Sequence, residues 1–185
     1  MSNLKTILSG GLMDEVLIIS TSLNQNSKSR LLAGAAFEAM SQQVESRLID
    51  LAEYNLPICD GDSVYGNEDV KSLTKLIKDS KAIVLAVPVY NYAAGASVKN
   101  LIELTGEAWE DKTVAFLCAA GGKSSYMSIM GLANSLMLDF RCVIVPRFVY
   151  ADSASFGSKG LEDETIRTRI HQMAESLSKL AGLRE

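Results

Sequence analysis

Between Leu17 and Ala33 the chain passes from an apolar run into a turn rich in hydroxyl and amide groups, and then into helical spacing. Ser20, Ser22, Asn24, Asn26, Ser27 and Ser29 lie in or beside that turn. The first turn of a helix has backbone N–H groups without internal partners and carries partial positive charge, so this segment has the chemistry of a phosphate cradle. The plainer alternative is an ordinary capped helix, in which Ser27 or Asn26 satisfies a backbone N–H. Two more segments are unusual. Pro88-Val89-Tyr90-Asn91-Tyr92 places two aromatics and small neighbours where a polar turn would suffice, and Gly121-Gly122-Lys123-Ser124 forms a flexible turn opening a helix. Backbone donors beside an aromatic platform suit a flat, hydrogen-bonding ring system. The plainer alternative has Tyr90 and Tyr92 covering a sheet end and the glycines making a tight turn.

Other chemistries find little support. Gly122-Lys123-Ser124 resembles the end of a nucleotide P-loop, but Leu117 stands where the first glycine belongs. No G-x-G-x-x-G follows a strand, which argues against a standard dinucleotide turn. His171 is the only histidine and falls in a polar helix, so neither metal binding nor histidine-based nucleophilic catalysis is supported. Asp60 and Asp62 flank Gly61 and read as turn residues.

The elements that must position these groups alternate. Apolar, β-branched runs at residues 15–20, 47–51, 82–87, 113–119 and 142–149 predict five strands. Helical spacing predicts helices over 27–41, 67–80, 96–106, 124–140 and 162–180. Near-continuous apolar strands are expected where helices cover both faces of a parallel sheet. The expectation is an α/β fold with a doubly wound five-stranded parallel sheet; right-handed crossovers restrict it to a few topologies, one of which is the flavodoxin-like order 2-1-3-4-5 with helices on both faces. The site then lies beyond the carboxyl ends of strands one, three and four.

A length of 185 residues with 48% hydrophobic composition supports one core and one domain, assigned to residues 14–185. Residues 1–13 lack the basic start and apolar stretch of a secretory signal and read as a mobile or lightly docked extension, with vector-derived residues or a misplaced start codon as the other readings. A net charge of -4 and no basic-aromatic run argue against nucleic acid, and no stretch has the length of a membrane span. Cys59, Cys118 and Cys142 show neither a disulfide framework nor metal-ligand spacing, which fits a reducing, cytoplasmic setting.

With the three loops read, the chain resembles the NAD(P)H-dependent FMN reductase family, the flavodoxin-like group that includes FMN, quinone, azo and chromate reductases. The most specific likeness is Pro88-x-Tyr90-Asn91-Tyr92 with Gly95, Lys99-Asn100 and Ile102, which is similar to the family's P-x-Y-N-x-x-x-x-G-x-L-K-N-x-I/L-D stretch. Ser22, Ser27 and Arg30 fall where the family's first loop has serines and an arginine. Ile49-Asp50-Leu51, Leu56-Pro57 and Asp60-Gly61-Asp62 are similar to its second strand and loop.

This resemblance implies a noncovalent FMN. Its phosphate would lie against Ser20, Ser22, Asn26, Ser27 and Ser29, with Asn24 in the same cofactor-binding loop. Its ring would lie along Pro88, Val89, Tyr90, Asn91 and Tyr92, with Gly121, Gly122, Lys123 and Ser124 facing the pyrimidine end. It further implies NADPH or NADH as hydride donor and free flavin, a quinone or another small acceptor, in ping-pong exchange without a protein acid or base. A homodimer or homotetramer is implied too, with the apolar segment 124–140 available for the interface. Core packing is the expectation for most of Met127, Met130, Leu132, Leu136 and Met137. The chain departs from the family in three places. Asn24 stands where an arginine is usual, which leaves the donor open and makes Lys28, Arg30 or Lys123 the compensating cation. Val89 and Ala94 replace a glutamate and a proline, and the glycine-rich turn is shortened. The alternatives are a flavodoxin-like electron carrier or an FMN-binding sensor domain without NAD(P)H turnover.

Overall fold

The computed structural model describes residues 16–183; the extension assigned to residues 1–13 lies outside them. The strands are β1 (Val16–Ser20), β2 (Ser46–Asp50), β3 (Ala82–Tyr90), β4 (Ala93–Ala94), β5 (Thr113–Ala119), β6 (Val143–Ile144), β7 (Val149–Ala151), β8 (Phe156–Gly157) and β9 (Gly160–Leu161). The helices are α1 (Lys28–Ser41), α2 (Glu68–Asp79), α3 (Ala96–Thr105), α4 (Met130–Phe140) and α5 (Glu164–Leu180). The main path of the sheet is β2-β1-β3-β5-β6, with β7 also parallel to β5 and β4 antiparallel to β3. This is the flavodoxin-like order expected, with the fifth strand in two pieces.

Strand alternation sorts the core into two layers. Leu17, Ile19, Ile83, Leu85, Val87, Val114 and Phe116 meet Leu73 and Ile77 of α2, Leu101 of α3 and Leu136 of α4. Val16, Ile18, Ala82, Val84, Ala86, Ala115 and Leu117 meet Leu32 and Ala36 of α1 and Ile170 and Leu177 of α5. Side chains alternate with period two along a strand, so each strand feeds both layers. The second face has five strand alanines among the described residues, at 82, 86, 115, 119 and 151, and such small residues let α1 and α5 pack closely over the strands that lead into the site. Three helices start where side-chain caps place them, since Ser27, Asn67 and Asp163 each accept two backbone N–H bonds.

Four expectations need correction. The fifth strand, expected over 142–149, breaks between β6 and β7: Pro146 has no N–H for a ladder and Arg147 is left-handed at φ 58°. The third strand does not stop at Val87 but continues to Tyr90 and turns back into β4. Asn91 and Tyr92, with φ of 49° and 64°, make a two-residue turn of the type that matches strand twist. The helix expected from Ser124 begins at Met130, so Gly121–Ser124 does not open a helix. Finally, Leu132 and Leu136 pack into the core, but Met127 and Met137 are exposed and Met130 is half-buried.

Candidate active site

The loop after β1 starts from a fixed point. Thr21 donates from both its N–H and its hydroxyl to the Ala86 carbonyl at 3.0 Å, and the Ser97 hydroxyl donates to the Thr21 carbonyl. Beyond it the cradle is bonded to itself. The Asn24 N–H donates to Ser22 Oγ at 3.3 Å, Asn26 N–H to Asn24 Oδ1 at 2.9 Å, and Ser27 N–H to the Asn24 carbonyl at 3.1 Å. Ser27 Oγ accepts from the N–H groups of Ser29 and Arg30 and lies 2.5 Å from Ser29 Oγ. Ser27 is thus the helix cap of the plainer alternative and also part of a hydroxyl cluster.

Ser22, Asn24, Asn26, Ser27, Lys28 and Ser29 form one wall of a cavity of about 250 Å³. Pro88, Val89 and Tyr90 form the second wall, and Ala119, Ala120, Gly121 and Ser153 the third. The cavity stands beyond the carboxyl ends of β1, β3 and β5, where the winding of the sheet reverses. Wider space exists elsewhere, in a groove of about 820 Å³ beside α2 and the segment after α3, but that groove lies on a helical layer away from the strand ends.

Nine of the residues expected in the site come together here: Ser22, Asn24, Asn26, Ser27, Ser29, Pro88, Val89, Tyr90 and Gly121. The others do not line the cavity. Ser20 still follows strand alternation, so it points with Val16 and Ile18 to the α1 side, into a small space with Arg30 and Asp50. Asn91 and Tyr92 are spent on the hairpin turn. Gly122, Lys123 and Ser124 are exposed beyond the wall, and the Gly122 carbonyl accepts from Tyr150 Oη at 2.5 Å.

Lys28 is the cation of the cavity. Its Nζ donates to Ser153 Oγ at 2.9 Å and stands 5.4 Å from the centre of the Phe156 ring. Arg30 is committed elsewhere, ion-paired with the buried Asp50 carboxylate and donating to the Gln25 carbonyl at 2.9 Å. Ala119 was legible as the end of a central strand, and Ala120 follows it directly. Ser153 carried no signal, because it follows the fifth strand and the expected site stopped at the fourth. One position before Ala119, burial pushes the Cys118 thiol up to about 12, so it is a neutral thiol and no nucleophile. Among the described residues no group of three or more His, Cys, Asp or Glu side chains is placed to hold a metal ion.

The donor set of the first wall suits a phosphate: hydroxyls, amides, one ammonium and a helix N-terminus, without a carboxylate among the lining residues. The second and third walls suit a flat ring, since Val89 and Tyr90 offer apolar surface and Ala119–Gly121 keep side-chain bulk out. The sequence profile of a family described as NADPH-dependent FMN reductase matches residues 15–156. The chain belongs to this family. It is accordingly an NAD(P)H-dependent reductase of the FMN and quinone reductase type, with FMN as cofactor. It is 29% identical over 136 residues to an NAD(P)H-dependent FAD/FMN reductase of Geobacillus thermodenitrificans, covering 71% of this chain and 73% of that one. It is 28% identical over 172 residues to an NAD(P)H:quinone oxidoreductase of Solanum tuberosum, covering 86% and 89%. The fold matches a crystal structure of an NADH:FMN oxidoreductase in its apo form with a TM-score of 0.74 at 15% identity, covering 89% of this chain and 88% of that one.

The reductase signature also has structural duties. The Gly95 N–H donates to the Pro88 carbonyl at 2.8 Å, and a Cβ at Gly95 would stand 3.0 Å from the Pro88 ring. Asn100 clamps the loop after β2, donating from Nδ2 to the Pro57 carbonyl and accepting the Cys59 N–H at Oδ1, both at 2.9 Å. The Asp60 carboxylate accepts the N–H of Asp62 at 2.9 Å, the turn role expected of it, and that bond holds its pKa below the usual range. His171 is exposed on α5.

Proposed function

We propose that the protein passes reducing equivalents from NAD(P)H through FMN held at this cavity to free flavin, a quinone or another small planar acceptor. The observation that supports this reading is the joining of an oxyanion-binding wall, Ser22 to Ser29 with Lys28, to an apolar wall at Val89 and Tyr90 in one cavity. FMN supplies the two-electron redox chemistry when bound. The chain supplies binding and orientation. Ser22, Asn26, Ser27, Ser29 and Lys28 hold the phosphate end, while Val89, Tyr90 and the Ala119–Gly121 backbone align the ring end. Tyr90 and Tyr92 are 57% and 66% exposed at the hairpin, leaving the mouth open to exchange of a planar molecule. A single open face requires donor and acceptor to take turns, which is ping-pong exchange.

A homodimer or homotetramer belongs to the same proposal, with the segment 124–140, which exposes Met127 ahead of α4 and Met137 and Leu138 on it, as its interface. A cytoplasmic setting is proposed on the three free thiols; among the described residues no helix is long and apolar enough to cross a membrane. The deciding experiment is an anaerobic absorbance spectrum with FMN, taken before and after NADPH and then NADH. Fast loss of the oxidised flavin band supports the reductase reading and ranks the donors. Tight binding without bleaching favours an electron carrier or sensor, and absence of binding removes the cradle.

A further inference from the structure

The break between β6 and β7 builds a second concave site that the reductase reading does not use. A cavity of about 340 Å³ lies between this break and α5. The rings of Tyr126 and Phe148 stack in its wall at 5.1 Å between centres, with Met173 beside them. Arg147 and Arg169 line it as well, and no acidic side chain does.

These two arginines are unlike others in the protein. Arg30 pairs with Asp50, Arg141 with Asp111 and Glu110, and Arg167 with Glu164. Neither Arg147 nor Arg169 has a hydrogen-bond or ion-pair partner among the described residues. Arg147 is also held at φ 58°, a conformation disfavoured for a residue with a Cβ. Guanidinium groups bind oxyanions through paired N–H donors and stack on flat rings, and aromatic faces stack on other ring systems. We propose that this cavity binds a planar aromatic ring bearing an oxyanion.

Two sources share that chemistry. One is the adenosine-phosphate end of the nicotinamide donor, an assignment that rests on the proposed function. The other is a separate aromatic acid, which does not. A chain of contacts joins the cavity to the flavin site. Tyr126 meets Tyr150 edge-on at 5.6 Å, Tyr150 Oη bonds the Gly122 carbonyl, and Gly121 lines the flavin cavity.

The test is calorimetric titration of the FMN-supplemented full chain with adenosine 2′,5′-bisphosphate, 2-naphthalenesulfonate and inorganic phosphate. The titrations are repeated on Arg147→Ala and Arg169→Ala, two exposed positions. At least one ring-bearing probe is expected to bind about tenfold more tightly than phosphate, and each substitution to weaken it about fivefold or more with FMN affinity unchanged. Bisphosphate binding, with a raised KM for NADPH and unchanged kcat in the variants, assigns the donor. Binding of the sulfonate alone assigns a separate aromatic acid. The proposal is overturned if neither ring-bearing probe binds, if phosphate binds as tightly, or if the variants bind like the parent. Failure of the reductase reading shows separately, as an unbleached flavin band, and leaves the sulfonate titration decisive.

Discussion

Val89 and Ala94, two positions at which the signature stretch departs from the family pattern, are cross-strand partners in the β3–β4 hairpin. Val89 is buried against the core and Ala94 packs beside it. Directly opposed residues in a sheet couple, so the two departures act as one unit. Val89→Glu alone is expected to lower stability by about 1–3 kcal/mol, because it forces a carboxylate into apolar surroundings. Ala94→Pro and the double variant complete a cycle whose coupling is expected to reach about 0.5 kcal/mol or more. Urea unfolding of the four proteins measures it, and strict additivity would show the pair to be independent.

Lys28→Ala is expected to weaken FMN about tenfold and riboflavin hardly at all, since the lost ammonium answers the phosphate and not the ring. Flavin fluorescence quenching gives both constants. Equal loss for the two flavins would move Lys28 away from the phosphate.

Arg30 serves the fold. Its guanidinium neutralises Asp50, a carboxylate that is 7% exposed and also accepts the Ala52 N–H at 3.0 Å. Arg30→Ala leaves that charge without its counter-ion and is expected to cost about 2–3 kcal/mol, much of it recovered in Arg30→Ala with Asp50→Asn. Thermal unfolding of the single and double variants is the measurement.

Tyr92 sits at φ 64° in the hairpin turn, where glycine has no Cβ penalty. Tyr92→Gly is therefore expected to raise stability by about 0.5 kcal/mol while changing the KM for planar acceptors. A fall in stability would mean that the exposed ring packs on something that the turn geometry hides.

Burial pushes the thiols of Cys118 and Cys142 up to about 12 and about 11. An unfolded chain loses these protons near pH 8.5 to 9, whereas the native protein retains them to higher pH. Their contribution to stability is complete below that range and declines as pH rises from about 9 to 12. Urea midpoints at pH 8, 9 and 10 should fall, with a smaller fall for Cys118→Ala. At pH 8 iodoacetamide should label Cys59 and spare the two buried thiols.

The alternation of apolar strands and amphipathic helices is a local property, written in side-chain hydrophobicity with periods near two and near 3.6. The sequence by itself therefore determined the parallel doubly wound sheet, narrowed its strand order to a few that include the flavodoxin-like one, and offered Ser27 as one of two caps. The cradle from Ser22 to Ser29 was legible for the same reason, because its groups lie within eight residues on one turn.

Tertiary structure decided what depends on direction and distance. Ser20 belongs to the hydroxyl run in sequence, yet strand alternation turns it under α1, away from the cavity. Lys28 and Arg30 are two residues apart on one helix. Lys28 reaches Ser153, 125 positions along the chain, and Arg30 reaches Asp50 at the end of the neighbouring strand. Arg147, in the break after β6, and Arg169, on α5, line one cavity although 22 positions separate them in the chain. Each of these pairings crosses between elements, and a one-dimensional pattern holds no record of which side chains close packing brings within a few ångströms of one another.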